Sequence, residues 1–155
     1  MHLNNYVVNN DIVRKDYAKA MEWFQKAAAQ GNSDAQAAIG SMHLNGYSVR
    51  QDYAEAMEWF QKAAAQGNSD AQTAIGTMYF DANGVQKDYV KAMEWFQKAA
   101  RQGNANSQYK LGNMYASGYV TKNLEISKEW YGKACDNGSK QGCSMYVYAI
   151  VNSNK

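Results

Sequence analysis

The chain has 155 residues and a formal net charge of +2, with 46% of its residues apolar and only 19% charged. It is long enough to bury a core and too apolar for a disordered segment. The near-neutral balance gives no electrostatic reason to expect nucleic acid or an anionic membrane, and no apolar run approaches the roughly 18 residues of a membrane span.

In chain order, residues 1–15 read as a degenerate N-terminal half unit, because IVRKDY at 12–17 parallels SVRQDY at 48–53. Three helix-pair units follow at 16–51, 52–87 and 88–122, and a diverged unit with a closing helix fills 123–155. The frame comes from Trp23, Trp59, Trp95 and Trp130, spaced by 36, 36 and 35 residues. Around the first of them, DYAKAMEWFQKAAAQGN at Asp16–Asn32 recurs almost unchanged at Asp52–Asn68 and Asp88–Asn104. Periods of this length signal an array in which each unit buries its apolar face against the next.

Within a unit, Tyr17, Ala20, Met21, Phe24, Ala27 and Ala28 fall on one helical stripe. Asp16 is placed to cap that helix and Gly31 to end it in a left-handed conformation. Ser33–Gln36 and Ser69–Gln72 have the pattern of a capping box opening a second helix, with Ala35, Ala38, Ile39 and Met42 as its buried stripe. Gly40, Gly76 and Gly112 stand mid-helix, where glycine costs about 1 kcal/mol against alanine, so a neighbouring backbone is expected to come close there. Gly46, Gly84 and Gly118 make the turn to the next unit. The absence of proline fits helices joined by Gly/Asn turns, and the fold class is all-α, as a single domain over 1–155.

Little chemistry is on offer. The only histidines, His2 and His43, lie far apart, no metal-binding or phosphate-binding motif is present, and neither a metal nor a cofactor is expected. Cys135 and Cys143 lie near the end of one helix and the start of the next, a spacing across a turn that suits either a disulfide or two reduced thiols. Ser107-Gln-Tyr-Lys110 matches S-x-x-K, the nucleophile motif of penicillin-recognising enzymes. With ten serines and thirteen lysines, roughly one such spacing arises by chance, and the companion S-D-N and K-T-G elements are missing. Ser107 also replaces an alanine of the packed stripe. The four tryptophans, at identical register, are expected to fill junctions between helix pairs rather than form an exposed ladder, and Lys26, Lys62 and Lys98 to be a solvated face.

The pattern A-x-x-x-[IL]-G-x-M-[HY] followed by V-x-[KQ]-D-Y-x-[KE]-A-M-x-W-F-x-K-A-A-x-Q-G resembles the Sel-1-like repeat family, relatives of the tetratricopeptide repeats, over nearly the whole chain. The resemblance implies a right-handed α/α superhelical solenoid of antiparallel helix pairs, with the A-Q-x-x-[IL]-G helices lining a concave face. It also implies an adaptor without catalytic activity that holds a protein or peptide partner, expected here as a monomer. Some members are bacterial toxin-immunity proteins, a narrower alternative. The segment KACDNGSKQGC is similar to the cysteine-rich bacterial branch, in which such a cysteine pair is bridged. A bridge would place the protein in the periplasm or outside the cell, and free thiols in the cytoplasm. No signal segment opens the sequence, so the first reading requires a mature or truncated form. That branch has been associated with penicillin hydrolysis, which leaves a β-lactamase-like activity at Ser107 as the remote alternative.

Comparison between units picks out the candidate binding face. The second helix varies at Ala37/Thr73/Tyr109, Ala38/Ala74/Lys110, Ser41/Thr77/Asn113 and His43/Tyr79/Tyr115. If that helix lines a groove, Gln36, Ser41, His43, Gln72, Thr77, Tyr79, Gln108, Tyr109, Asn113 and Tyr115 would hydrogen-bond a peptide backbone and anchor its side chains. The competing reading has Tyr79 and Tyr115 packed between repeats.

Overall fold

The computed structural model describes residues 3–153, with side chains from 16 to 152. Eight helices are present among them: α1 (Leu3–Ala29), α2 (Ser33–Asn45), α3 (Tyr53–Ala65), α4 (Ser69–Asp81), α5 (Tyr89–Arg101), α6 (Ala105–Ser117), α7 (Leu124–Asp136) and α8 (Lys140–Ser153). They fall into two compact units, Met1–Asn68 and Ser69–Lys155.

Local chemistry sets most boundaries. Asp52, Asp88 and Asn123 are extended residues whose side chains accept from the first free amides of α3, α5 and α7. Asn32 and Asn104 do the same for α2 and α6, through Ala35 N at 2.8 Å and Ser107 N at 3.0 Å. The cap is therefore Asn32, one residue ahead of the expected box, and Gln36 does not reach back to the helix start. Asp16 departs further, because α1 runs through it without a break. Asp52 and Asp88 each follow a glycine-containing turn, whereas NNDIVRKD ahead of Tyr17 has no residue that stops a helix. The side chains of residues 1–15, read as a half unit, lie outside the described residues.

Gly31, at φ +83°, ends α1 as expected. The turns after the second helices are less uniform than the glycine pattern implies. Gly46 (φ +70°) and Gly118 (φ +74°) share one register, but Ala82 occupies it in the middle unit at φ +62°. A Cβ in the left-handed region costs about 1–2 kcal/mol, partly offset by the greater chain entropy of glycine when unfolded. Ala82 is exposed, so nothing else depends on its methyl group. Ala82→Gly is expected to stabilise the fold by about 0.5–1 kcal/mol, read from the midpoint of urea denaturation.

Packing within each unit turns on a glycine and a ring. In the first unit, Phe60 of α3 is 1% exposed and lies on Gly40 of α2. In the second, Phe96 of α5 lies on Gly76 of α4, and Tyr131 of α7 on Gly112 of α6. The expected close neighbour is thus chiefly an aromatic face, with backbone joining it at Gly76, where a Cβ would stand 3.2 Å from the Ala92 carbonyl oxygen. Trp59 and Trp130 pack on the clusters around Ile39 and Leu111, which is the junction-filling role expected of them. Trp23 differs, at 69% exposed. The recurring lysines are not simply solvated: Lys26, Lys62, Lys98 and Lys133 each hold their ammonium 4.0–5.0 Å from the indole three residues earlier.

Candidate functional site

The glutamines of the expected groove belong to the framework. Gln36, Gln72 and Gln108 are buried, at 9%, 6% and 3% exposure. Gln36 Oε1 accepts from Gln66 Nε2, and Gln72 Oε1 from Gln102 Nε2, both at 2.8 Å. Gln108 Nε2 donates to the Ala100 carbonyl at 3.0 Å while its Oε1 accepts from Asn137 Nδ2 at 3.1 Å. Each ties a second helix to the end of a first helix, so these amides are not presented to a partner. A parallel rung joins Asn68 to Asp34 and Asn104 to Asp70, at 2.7 and 2.8 Å.

Ser107 is fully buried. Thr73 Oγ1 donates its hydrogen to the Ser69 carbonyl at 2.8 Å, so Ser107 Oγ is the donor in the 2.7 Å bond between the two hydroxyls. Lys110 Nζ instead lies 5.6 Å from the centre of the Phe96 ring. The S-x-x-K pair is therefore a packed hydroxyl and a ring-bound ammonium, with no accessible nucleophile.

The remaining candidates divide by exposure. Tyr79 and Tyr115 pack against the cluster of Met93, Phe96 and Leu111, which is the competing reading of these residues. His43 is half-buried, and its Nδ1 is buried without a hydrogen-bond partner. Ser41 and Thr77 are half-exposed and donate to carbonyls of their own helices. Tyr109 approaches Tyr131 with ring centres 6.0 Å apart, and the Tyr131 hydroxyl donates to Asn113 Oδ1 at 2.7 Å. Burial pushes the Tyr131 phenol above the usual tyrosine value, keeping it a neutral donor.

One cavity brings part of the variable face together. It measures 100 Å³ and is lined by Phe80, Phe96, Lys110, Asn113, Met114 and Tyr119. Of these, only Asn113 is among the candidates from sequence. Lys110 carried a usable signal, since the matching residues are Ala38 and Ala74. Phe80 and Tyr119 had none, because only the turn after α6 brings them into contact. A larger depression of 290 Å³ lies against α8, lined by Leu124, Met145 and Tyr148 among others. Two of its polar groups are already engaged: Glu125 with Lys128 at 2.8 Å, and Ser127 with the Gly112 carbonyl at 2.8 Å.

Cys135 and Cys143 form a disulfide between α7 and α8, with Cα atoms 4.4 Å apart. Among the described residues, no three His, Cys, Asp or Glu side chains are grouped to hold a metal, and no helix is long and apolar enough to cross a membrane.

A repeat unit with this geometry defines a class of helix-pair array, and the comparisons identify it. The Sel1 repeat model matches four times, at residues 10–32, 33–68, 69–104 and 105–139, and the chain belongs to the Sel1 repeat family. Its fold is accordingly the all-α solenoid of helix pairs. It is similar to a Sel1 repeat protein from Oxalobacter formigenes, with 32% identity and a TM-score of 0.81 over 87% of this chain and 56% of that one. It is also similar to c5321, a protective antigen of uropathogenic Escherichia coli with an SLR fold, at 34% identity and TM-score 0.75, covering 81% and 27% of the two chains. Helicobacter pylori cysteine rich protein B shares the fold at 24% identity and TM-score 0.66, covering 86% of this chain and 96% of its own. The chain thus spans about half the length of the first of these and about a quarter of the second. No curated protein matches it.

Proposed function

We propose that the protein is a non-catalytic scaffold that captures a peptide or an extended protein segment on the exposed side of its second helices. Sel1 repeats are scaffolds typical of protein–protein interaction, which supplies the general role. The observation that carries the specific reading is the half-buried, unit-specific patch on α6, where Asn113 keeps a free amide NH2 beside an apolar cavity. The candidate glutamines and the Ser41 and Thr77 hydroxyls already bond within the framework, whereas the Asn113 NH2 offers a partner unused donors. The disulfide supports an oxidising compartment, either periplasmic or extracellular.

Peptides selected from a displayed random library against the immobilised full chain test this reading. Binding is expected to be lost in Thr77→Arg and Asn113→Arg, which obstruct the face, and retained in Glu94→Arg on the exposed side of α5. Equal affinity for all three variants, at unchanged melting temperature, would sink it.

A further inference from the structure

We infer that the cavity beside Lys110 is the anchor subsite of this face, and that it takes a peptide carrying an aliphatic side chain with a carboxylate close by; the inference rests on the peptide-capturing role proposed above. Two of the lining rings, Phe80 and Tyr119, pack on each other and on Tyr89. Phe80, Tyr89 and Tyr119 stand with centres 4.8–5.1 Å apart, each touching the other two at an angle. Phe96 and Met114 complete the apolar lining. At 100 Å³ the depression is small and its lining is mainly apolar, which suits a branched aliphatic side chain such as Val, Leu or Ile.

The rim sets the charge. Lys110 lies over the Phe96 ring and has no carboxylate within ion-pair distance, since the ion pairs among the described residues are Lys91 with Asp88 and Lys128 with Glu125. Asp81, next to Phe80, is exposed and does not reach it. Asn113 accepts from Tyr131 through Oδ1, which leaves its amide hydrogens as the second set of donors. A cation and an amide donor, with no opposing anion, select an acceptor of negative charge from the partner. The matching residues Ala38 and Ala74 cannot do this, so the subsite belongs to one repeat only.

The test uses the disulfide-bonded full chain and peptides selected from the random library, labelled for fluorescence anisotropy. Selected sequences are expected to be enriched in Leu, Ile or Val beside Asp or Glu. Changing the peptide carboxylate to its amide should weaken binding about tenfold, and Lys110→Met should do the same while keeping an aliphatic stem on Phe96. Lys110→Arg should retain most of the affinity, and unchanged melting temperatures would exclude a folding defect. Peptides that Asn113→Arg still blocks, but that show no acidic enrichment and lose less than about twofold in Lys110→Met, overturn the subsite and leave the scaffold reading standing. Absence of any selected peptide, or binding indifferent to Thr77→Arg and Asn113→Arg, overturns both.

Discussion

Gly76→Ala is expected to destabilise the protein by about 1–3 kcal/mol, although alanine is the better helix former by about 1 kcal/mol. The new Cβ would stand 2.7 Å from Cδ1 and Cε1 of Phe96 and 3.2 Å from the Ala92 carbonyl oxygen. Neither neighbour can yield cheaply. Phe96 is 1% exposed, held among Ala92, Met93, Leu111 and Met114, and the carbonyl belongs to the α5 backbone. Separation of α4 from α5 would therefore be the main response, and it would loosen the ring packing on both helices. A second substitution distinguishes this cause from a general helix effect. Phe96→Leu alone removes part of a buried ring and costs stability, but combined with Gly76→Ala it should cost less than the sum, since the smaller side chain makes room for the methyl group. Urea denaturation of the two single variants and the double variant measures the coupling. Additive effects, or a Gly76→Ala protein as stable as the wild type, would show that the ring does not set this position.

Loss of the Cys135–Cys143 bridge is the second large effect. The bridge closes a loop of eight residues' separation, which corresponds to about 2.5 kcal/mol on the chain-entropy account. In a chain of this length that is a fall in melting temperature of about 5–10 °C. The damage should be local. In an array, each element is stabilised chiefly by its neighbours, and α8 has α7 on one side and exposed Val147, Tyr148 and Val151 on another. Close contact across the turn remains after reduction, because a Cβ on Gly142 would meet Ala134 and the backbone of Cys135. Hydrogen exchange on Cys135→Ala/Cys143→Ala is thus expected to show lost protection in α8 first, with α4–α6 little changed. Reductant should lower the melting temperature of the wild type and leave the double variant unaffected. Equal melting temperatures for oxidised and reduced wild type would contradict the estimate.

Repetition made the fold legible. A period of 36 residues, a stripe of apolar positions and an aspartate ahead of Tyr17, Tyr53 and Tyr89 define helix pairs without reference to anything distant. Asp52 and Asp88, which repeat the position of Asp16, do cap their helices, because capping is chemistry between residues two or three apart. The same locality explains the failure at Asp16, where the repeat pattern predicts a break but no nearby residue enforces one. The glycines at 40, 76 and 112 were legible as close approaches, yet the sequence could not identify Phe60, Phe96 and Tyr131 as what approaches them.

The candidate site divided in the same way. Variation among units pointed to the second helix, and Asn113 does border the cavity. The glutamines share that helix but turn into the junction with the following helix, where their long amides reach Gln66, Gln102 and Asn137. Periodicity assigns a residue to a helix face; it does not tell whether that face meets solvent or another helix. By itself, then, the sequence determined the helix pairs and the register in which they repeat. Tertiary structure alone decided which polar side chains were used between helices and which were left free, because that depends on contacts between residues about 30 positions apart.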